Sequence, residues 1–304
     1  MRIIVAGGSG FIGRPLVAGL AHDGHEVIVL TRRPEGAAEL PSGASAVGWD
    51  GRTVTGWGGL VDGAGAVINL AGAGLADARW TDGRRRKLVE SRTQPTEAVV
   101  EAIAAASHRP AVLLQASAIG YYGFRGDAII TEATDQGQGF LPELCAAWER
   151  ASEPVEAAGV RRVLLRTGGM VLGLGGGALP KMALPFKLFA GGPIGSGRQY
   201  ASWIHEDDEI GAIRFLLEDQ GAAGPYNLAA PQPVTNAQLG KALAQALHRP
   251  YWLPAPSFAL RLLLGELADV LLESARVVPE RLLAAGYRHR FPRLDAALAD
   301  LYGR

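Results

Sequence analysis

The sequence has a single cysteine, Cys145, which excludes an intrachain disulfide and a thiolate metal site. Its histidines show no HxxxH or HExxH spacing, so a zinc centre is not expected. No charge sign dominates: 30 basic residues offset 30 acidic ones, leaving no global field to wrap nucleic acid or hold a membrane surface. Long uninterrupted apolar runs are missing too. The greasiest late stretch, 258–278, is broken by Arg261, Glu266, Asp269, Glu273 and Arg276, which points to buried or amphipathic helices and not to a span. No basic segment followed by an apolar one opens the chain, so the expected location is cytoplasmic. What the chain has in excess is glycine, 41 of 304 residues, with no fixed period. The glycines gather at turns, as happens where backbone passes close to a ligand.

Through the first half, short apolar runs alternate with longer helical patterns. Strands are expected at Ile3–Ala6, Glu26–Thr31, Ala46–Trp49, Ala66–Leu70, Val112–Ser117 and Val163–Arg166. Helices are expected at Phe11–Asp23, at Trp80–Ser107 with a break or restart at Pro95, and at Leu141–Ala158. Fully apolar strands separated by helices predict an α/β fold: a doubly wound parallel sheet covered on both faces, with ligands beyond the carboxyl ends of the strands. After Gly173 a segment rich in glycine, proline and lysine reads as a lid or binding loop. From Thr235 onward the pattern is helical. The expected organisation is therefore a nucleotide-binding domain over 1–230, with 173–200 as a lid-like excursion, and a smaller, mainly helical substrate-side domain over 231–304.

The glycine motif follows the first strand at once and opens the first helix: Gly7-Gly8-Ser9-Gly10-Phe11-Ile12-Gly13. In the spacing GxxGxxG, Gly7 permits the tight turn, Gly10 admits a pyrophosphate to the backbone, and Gly13 allows close helix–strand packing. The helix N-terminus adds unpaired N–H groups and a positive dipole end. Gly7, Gly10, Phe11, Ile12 and Gly13 are thus the expected cofactor cradle. An NAD site usually carries an acid at the tip of strand two. Here that tip is Thr31-Arg32-Arg33, and a guanidinium suits a 2′-phosphate by charge and by its fork of donors. NADP(H) is the expected cofactor, the alternative for the arginines being a solvated surface pair. Asp50, ending strand three, is a further candidate for the adenine.

The segments GGSGFIG (7–13), NLAG (69–72), SAIGYYG (117–123), RTGGMVLG (166–173), GGPIGSGRQYASWIHEDD (191–208) and LLLGELADVLL (262–272) resemble the atypical "epimerase family" proteins among the extended short-chain dehydrogenases/reductases. Arg79-Trp80 with Ser91-Arg92 and VTNAQL (234–239) belong to the same resemblance, which spans nearly the whole chain. It implies a Rossmann sheet followed by a small C-terminal domain of unknown function. It also implies that Asn69, Leu70 and Ala71 line the adenosine–pyrophosphate side of the cleft, with Arg92 and Ser117 in the cofactor set. For Arg92 a salt-bridged helix surface is the competing role. The run Arg84-Arg85-Arg86-Lys87 reads as a solvated helix face.

Active members of that superfamily pair a tyrosine acid/base with a lysine four residues on, because an unperturbed phenol, pKa near ~10, exchanges protons poorly at neutral pH. Registering Glu149 with the usual downstream glutamate puts Leu141 and Cys145 at those positions; a one-residue shift puts Phe140 and Leu144 there. Neither pair moves a proton, and Gly120 stands where the substrate-orienting Ser/Thr is usual. The catalytic residues are accordingly unknown from sequence. Tyr121 and Tyr122, near the nicotinamide end, are substitute acids or packing residues. Trp203 and His205 are candidate substrate contacts, His205 alternatively capping the helix that begins near Asp207. Lys181, Lys187 and Arg198 are open to an anionic substrate or to solvent. Three functions follow: an NADP(H)-dependent oxidoreductase or epimerase-like enzyme on an unknown small molecule, a non-catalytic NADP(H) sensor, or an interaction protein that keeps only the fold. No nucleic-acid, membrane or metal partner is expected, and oligomeric state is open.

Overall fold

The computed structural model describes residues 1–37 and 40–303, with the side chains of 36 and 37 left out of the description. Seven parallel strands form the central sheet: β1 (Arg2–Ala6), β2 (Glu26–Thr31), β3 (Ala44–Gly48), β4 (Ala66–Asn69), β5 (Val112–Ala118), β6 (Arg161–Thr167) and β7 (Gly224–Leu228). Their spatial order is β3-β2-β1-β4-β5-β6-β7, each neighbour in parallel register. The order reverses between β1 and β4, which opens a crevice at the carboxyl ends of those two strands.

Period-two alternation assigns each strand residue to a face. Ile3 and Val5, with Val27, Val29, Val112 and Leu114, pack under α1 (Gly13–His22). Ile4 and Ala6, with Ile28, Leu30 and Leu113, pack on the other face under α2 (Asp82–Ala105). Each wholly buried aliphatic side chain contributes about 1.5–3 kcal/mol relative to exposure. α3 (Phe140–Ala151) lies beside α2. α4 (Leu179–Lys187) sits within the glycine-rich excursion. α5 (Glu206–Glu218) covers the α1 face through Ile210, Ile213 and Leu216. A third core joins Leu172, Leu179 and Trp203 to α6 (Asn236–Ala246) and α8 (Leu294–Tyr302), while α7 (Ser257–Leu264) buries none of its residues.

Three expectations need correction. Pro95 does not break α2, which runs uninterrupted past it. The proline is buried, and side chains donate to nearby backbone carbonyls: Ser91 Oγ and Arg92 Nη1 each donate to Leu88 O at 3.0 Å, and Thr96 Oγ1 donates to Arg92 O at 2.7 Å. The expected helix over 141–158 stops at Ala151, and a separate turn begins at Pro154, whose ring sits in a first-turn position where no N–H is required. The seventh strand escapes the sequence pattern because Gly224-Pro225 at its start reads as a turn. Among the described residues no helix is long and apolar enough to cross a membrane.

Candidate functional site

The glycine turn occupies the crevice between β1 and β4. Gly7 has φ of 80°, and a Cβ there would lie 2.8 Å from the carbonyl carbon of Leu70, so the two loops touch backbone to backbone. A Cβ on Gly13 would lie 2.6 Å from Gly8 Cα, which fixes α1 against the turn. Gly10 faces outward, exposed, its N–H closing the turn onto Gly7 O at 3.0 Å. No side chain caps α1 at Ile12. The backbone N–H groups of Phe11, Ile12 and Gly13 have no partner among the described residues, leaving an anion-seeking helix end.

At the tip of β2, Arg32 and Arg33 are exposed, and neither guanidinium forms an ion pair or hydrogen bond among the described residues. Thr31 Oγ1 accepts from Arg33 N at 3.3 Å. Asp50 is committed to its own turn: its carboxylate accepts from Arg52 N at 2.8 Å and from Thr53 N and Oγ1, each at 2.9 Å.

Asn69 is wholly buried at the end of β4. Its amide donates to Thr96 Oγ1 and Gln115 Oε1, both at 3.0 Å, and its carbonyl oxygen accepts from Ala71 N at 3.2 Å. It shapes the half-buried Leu70–Ala71 turn from beneath. The loop beyond is held by its carbonyls: Ala73 O accepts from Arg92 at 3.0 Å, Gly74 O from Arg84, Leu75 O from Trp80 Nε1 at 3.0 Å, and Ala76 O from Lys181 at 3.3 Å. Ser91 Oγ accepts from Ala73 N at 3.1 Å, so Ser91-Arg92 grip one residue from both sides.

Arg92 is buried and forms no ion pair among the described residues, stacking its guanidinium 5.0 Å from the Trp148 ring centroid. Burial lowers it to about 10, still protonated at neutral pH. The reading of 84–87 as a solvated face also needs correction. Arg84 holds Gly74, and Arg85 pairs with Glu266 and lies over the Phe140 ring; only Arg86 and Lys87 are turned to solvent.

The glycine-rich segment after Leu172 packs on the cradle. The Phe11 ring lies under Gly173, Gly176 and Gly177, where a Cβ on Gly177 would come 2.9 Å from the ring. Glu206, at the start of α5, presses its carboxylate on Gly173 from another side.

A buried polar network stands at the carboxyl ends of β5, β6 and β7. Arg166 makes a bidentate pair with Glu149, both contacts 2.8 Å. Ser117 Oγ donates to Glu149 Oε1 at 2.5 Å. Arg166 Nη1 donates to Tyr122 Oη at 2.9 Å, and Tyr122 donates to Asn227 Oδ1 at 2.6 Å. Asn227 N then donates to Glu132 Oε1 at 2.9 Å. An arginine inside an apolar strand requires such a partner, since an unpaired buried charge costs several kcal/mol. The sequence reading missed Arg166; the signal was a charge inside the apolar run of β6.

Of the four side chains expected at a substrate, three lie in the interior. Tyr122 is locked in this network, and burial pushes its phenol up to about 12. Trp203 is wholly buried, its indole N–H held by Gln232 O at 3.1 Å. His205 caps α5, its Nδ1 accepting from Asp207 N at 3.1 Å, and burial lowers the imidazole from its ordinary value. Tyr121 alone is half-buried, with a hydroxyl that forms no hydrogen bond among the described residues and a ring lying 3.6 Å from the Arg166 guanidinium carbon. Cys145, 3.4 Å from where a Cβ on Gly120 would be, is buried, and burial pushes its thiol up to about 12. It is no nucleophile at neutral pH. No group of three or more potential metal ligands occurs among the described residues.

A parallel sheet of this order, with a glycine turn at its reversal point, defines a protein of the NAD(P)-binding dehydrogenase/epimerase fold. Residues 3–144 match the NAD dependent epimerase/dehydratase family, and residues 255–301 match a domain of unknown function, DUF1731. The chain belongs to the epimerase family proteins: it is 36% identical over 311 residues to the Bacillus subtilis protein YfhF, covering 99% of this chain and 98% of that one. It is 39% identical to the Arabidopsis thaliana SDR39U1 homolog described as chloroplastic, covering 98% and 86%. The crystal structure of human epimerase family protein SDR39U1 with NADPH superposes with a TM-score of 0.89 at 35% identity, covering 100% of this chain and 99% of that one.

Proposed function

We propose that this protein binds NADP(H) across the β1/β4 crevice and uses it for hydride transfer to or from a small molecule, without the usual tyrosine–lysine pair. The observation that carries the cofactor reading is the tip of β2, where two exposed guanidinium groups stand without an ion pair, and no carboxylate takes the place of the ribose contact, among the described residues. The human relative crystallised with NADPH supports the same reading. The cradle fits a dinucleotide: at Gly7 and Gly13 a Cβ would strike backbone, and outward-facing Gly10 leaves open the space a pyrophosphate takes. Phe11, Ile12 and Gly13 offer N–H groups to the pyrophosphate, Thr31, Arg32 and Arg33 the 2′-phosphate contact, and Leu70 and Ala71 the facing wall. Asn69, Arg92 and Ser117 serve this site from below, holding the wall and the end of β5 in place.

The nicotinamide supplies or accepts the hydride when bound. The chain must then give the proton in the reducing direction and take it up in the oxidising one, and Tyr121 is our candidate for that role: half-buried, with a hydroxyl that has no hydrogen-bond partner among the described residues and a ring lying on Arg166. A non-catalytic sensor is favoured instead by α3, where the expected acid/base positions hold Leu141 and Cys145 or, one residue shifted, Phe140 and Leu144. Calorimetric titration with NADPH and NADH tests the cofactor. At least tenfold tighter NADPH binding is expected; equal affinities, or none, refute it. Turnover with a carbonyl panel that disappears in Tyr121→Phe would separate enzyme from sensor.

A further inference from the structure

No aspartate or glutamate occurs between Glu156 and Glu206, or between Asp219 and Glu266, although the chain carries 30 acidic residues. Folding joins parts of these two acid-free stretches. Trp252 Nε1 donates to Phe189 O at 2.9 Å, Trp252 N and Leu253 N donate to Gly191 O at 3.0 and 3.2 Å, and Ala255 N donates to Pro193 O at 2.8 Å. The joined surface is apolar and open: Leu188 is 68% exposed, Phe189 56% and Trp252 63%, and the chain continues directly into α7, where Phe258 and Leu262 are 74% and 78% exposed. Single exposed hydrophobes are ordinary; a run of them supported by backbone pairing is not.

Beside this surface lies a shallow pocket lined by Lys241, Gln245, His248, Arg249 and Tyr251. The Arg249 guanidinium sits 4.7 Å over the Phe189 ring, so pocket and apolar surface are contiguous. Arg249 Nε and the Tyr251 hydroxyl have no hydrogen-bond partner among the described residues. Lys187 and Lys241 form no ion pair among the described residues, whereas Arg261 on α7 is neutralised by Asp269 and Glu273.

We propose that this face docks on an anionic lipid surface, with a headgroup phosphate in the Lys241–Arg249–Tyr251 pocket and Leu188, Phe189 and Trp252 entering the acyl boundary. Aromatic and aliphatic side chains beside unpaired cations are the chemistry of an interfacial contact. A two-fold contact between copies would bring Lys187, Lys241 and Arg249 towards their own copies and oppose like charges. The proposal concerns docking only, and it stands apart from the cofactor reading.

The test is flotation of the full chain with vesicles of phosphatidylcholine alone or with added phosphatidylglycerol, together with tryptophan emission. Binding to the anionic vesicles only is expected, with a blue shift that is lost in Trp252→Phe. Lys241→Glu with Arg249→Glu should weaken binding about tenfold or more, and high salt should mimic it. Phe189→Asp should abolish binding while near-ultraviolet circular dichroism and the thermal midpoint stay as in wild type. Absence of binding to anionic vesicles, or equal binding to both kinds, overturns the proposal. So does a dimer in light scattering that Phe189→Asp dissolves without any vesicle binding, which would give the face to a second copy.

Discussion

Glu209 offers a direct reading of what burial costs a carboxyl group in this fold. It lies in the first turn of α5, 1% exposed, accepting from Thr167 Oγ1 at 2.7 Å through one oxygen while the other has no partner among the described residues. Burial pushes its carboxyl from 4.5 up to about 8. The folded state therefore keeps a proton between those values that the unfolded chain has released. With more protons bound folded than unfolded, stability falls as pH rises through that window and levels off above it. At about 1.4 kcal/mol per pKa unit, less what the helix N-terminus returns, the loss is roughly 3–5 kcal/mol.

Glu209→Gln removes the titration while keeping the shape and the acceptor for Thr167. The variant should match wild type within about 1 kcal/mol at pH 5 and exceed it by roughly 3–5 kcal/mol at pH 9. Urea denaturation at a series of pH values, taken as the difference between the two proteins, cancels every other titrating group. A difference that is constant across the window would show that Glu209 titrates normally and that its second oxygen is solvated.

Other predictions test the remaining parts. Gly13→Ala forces a methyl group into the Gly7–Gly8 backbone and should cost several kcal/mol, lowering the thermal midpoint and abolishing dinucleotide binding in calorimetry; unchanged binding would displace the cradle. Glu149→Gln leaves the Arg166 guanidinium without its buried counter-charge and should cost about 3–5 kcal/mol in chemical denaturation, whereas a loss below about 1 kcal/mol would mean that water reaches the pair. Arg32→Ala should weaken NADPH at least tenfold more than NADH, and a uniform loss would assign the arginine to the fold instead.

The parts of this molecule written in local pattern were legible from the sequence. Ile3 and Val5 against Ile4 and Ala6 mark a strand buried on two faces, and the glycine spacing after it fixes turn, helix and crevice together. What escaped depends on partners distant in the chain. Arg166 looks like the end of a strand until Glu149, on another element, neutralises it. Trp203 reads as a substrate contact because nothing nearby reveals the third core that covers it, built from α6 and α8, while for His205 the helix-cap alternative is the arrangement found. Pro95 reads as a break or restart because propensity weighs the proline alone and not the burial that holds α2 together on both sides of it.

The contact between Phe11 and the glycines at 173, 176 and 177 has a consequence for how the protein can change. The ring acts as a former over which the later segment is cast, and the absent side chains are the clearance that permits the casting. A bulkier residue in the segment has no room unless the ring shrinks, and a smaller residue at position 11 leaves a void unless the segment gains bulk. Redesign of the cleft entrance must therefore alter both stretches at once, although more than 150 residues of chain separate them.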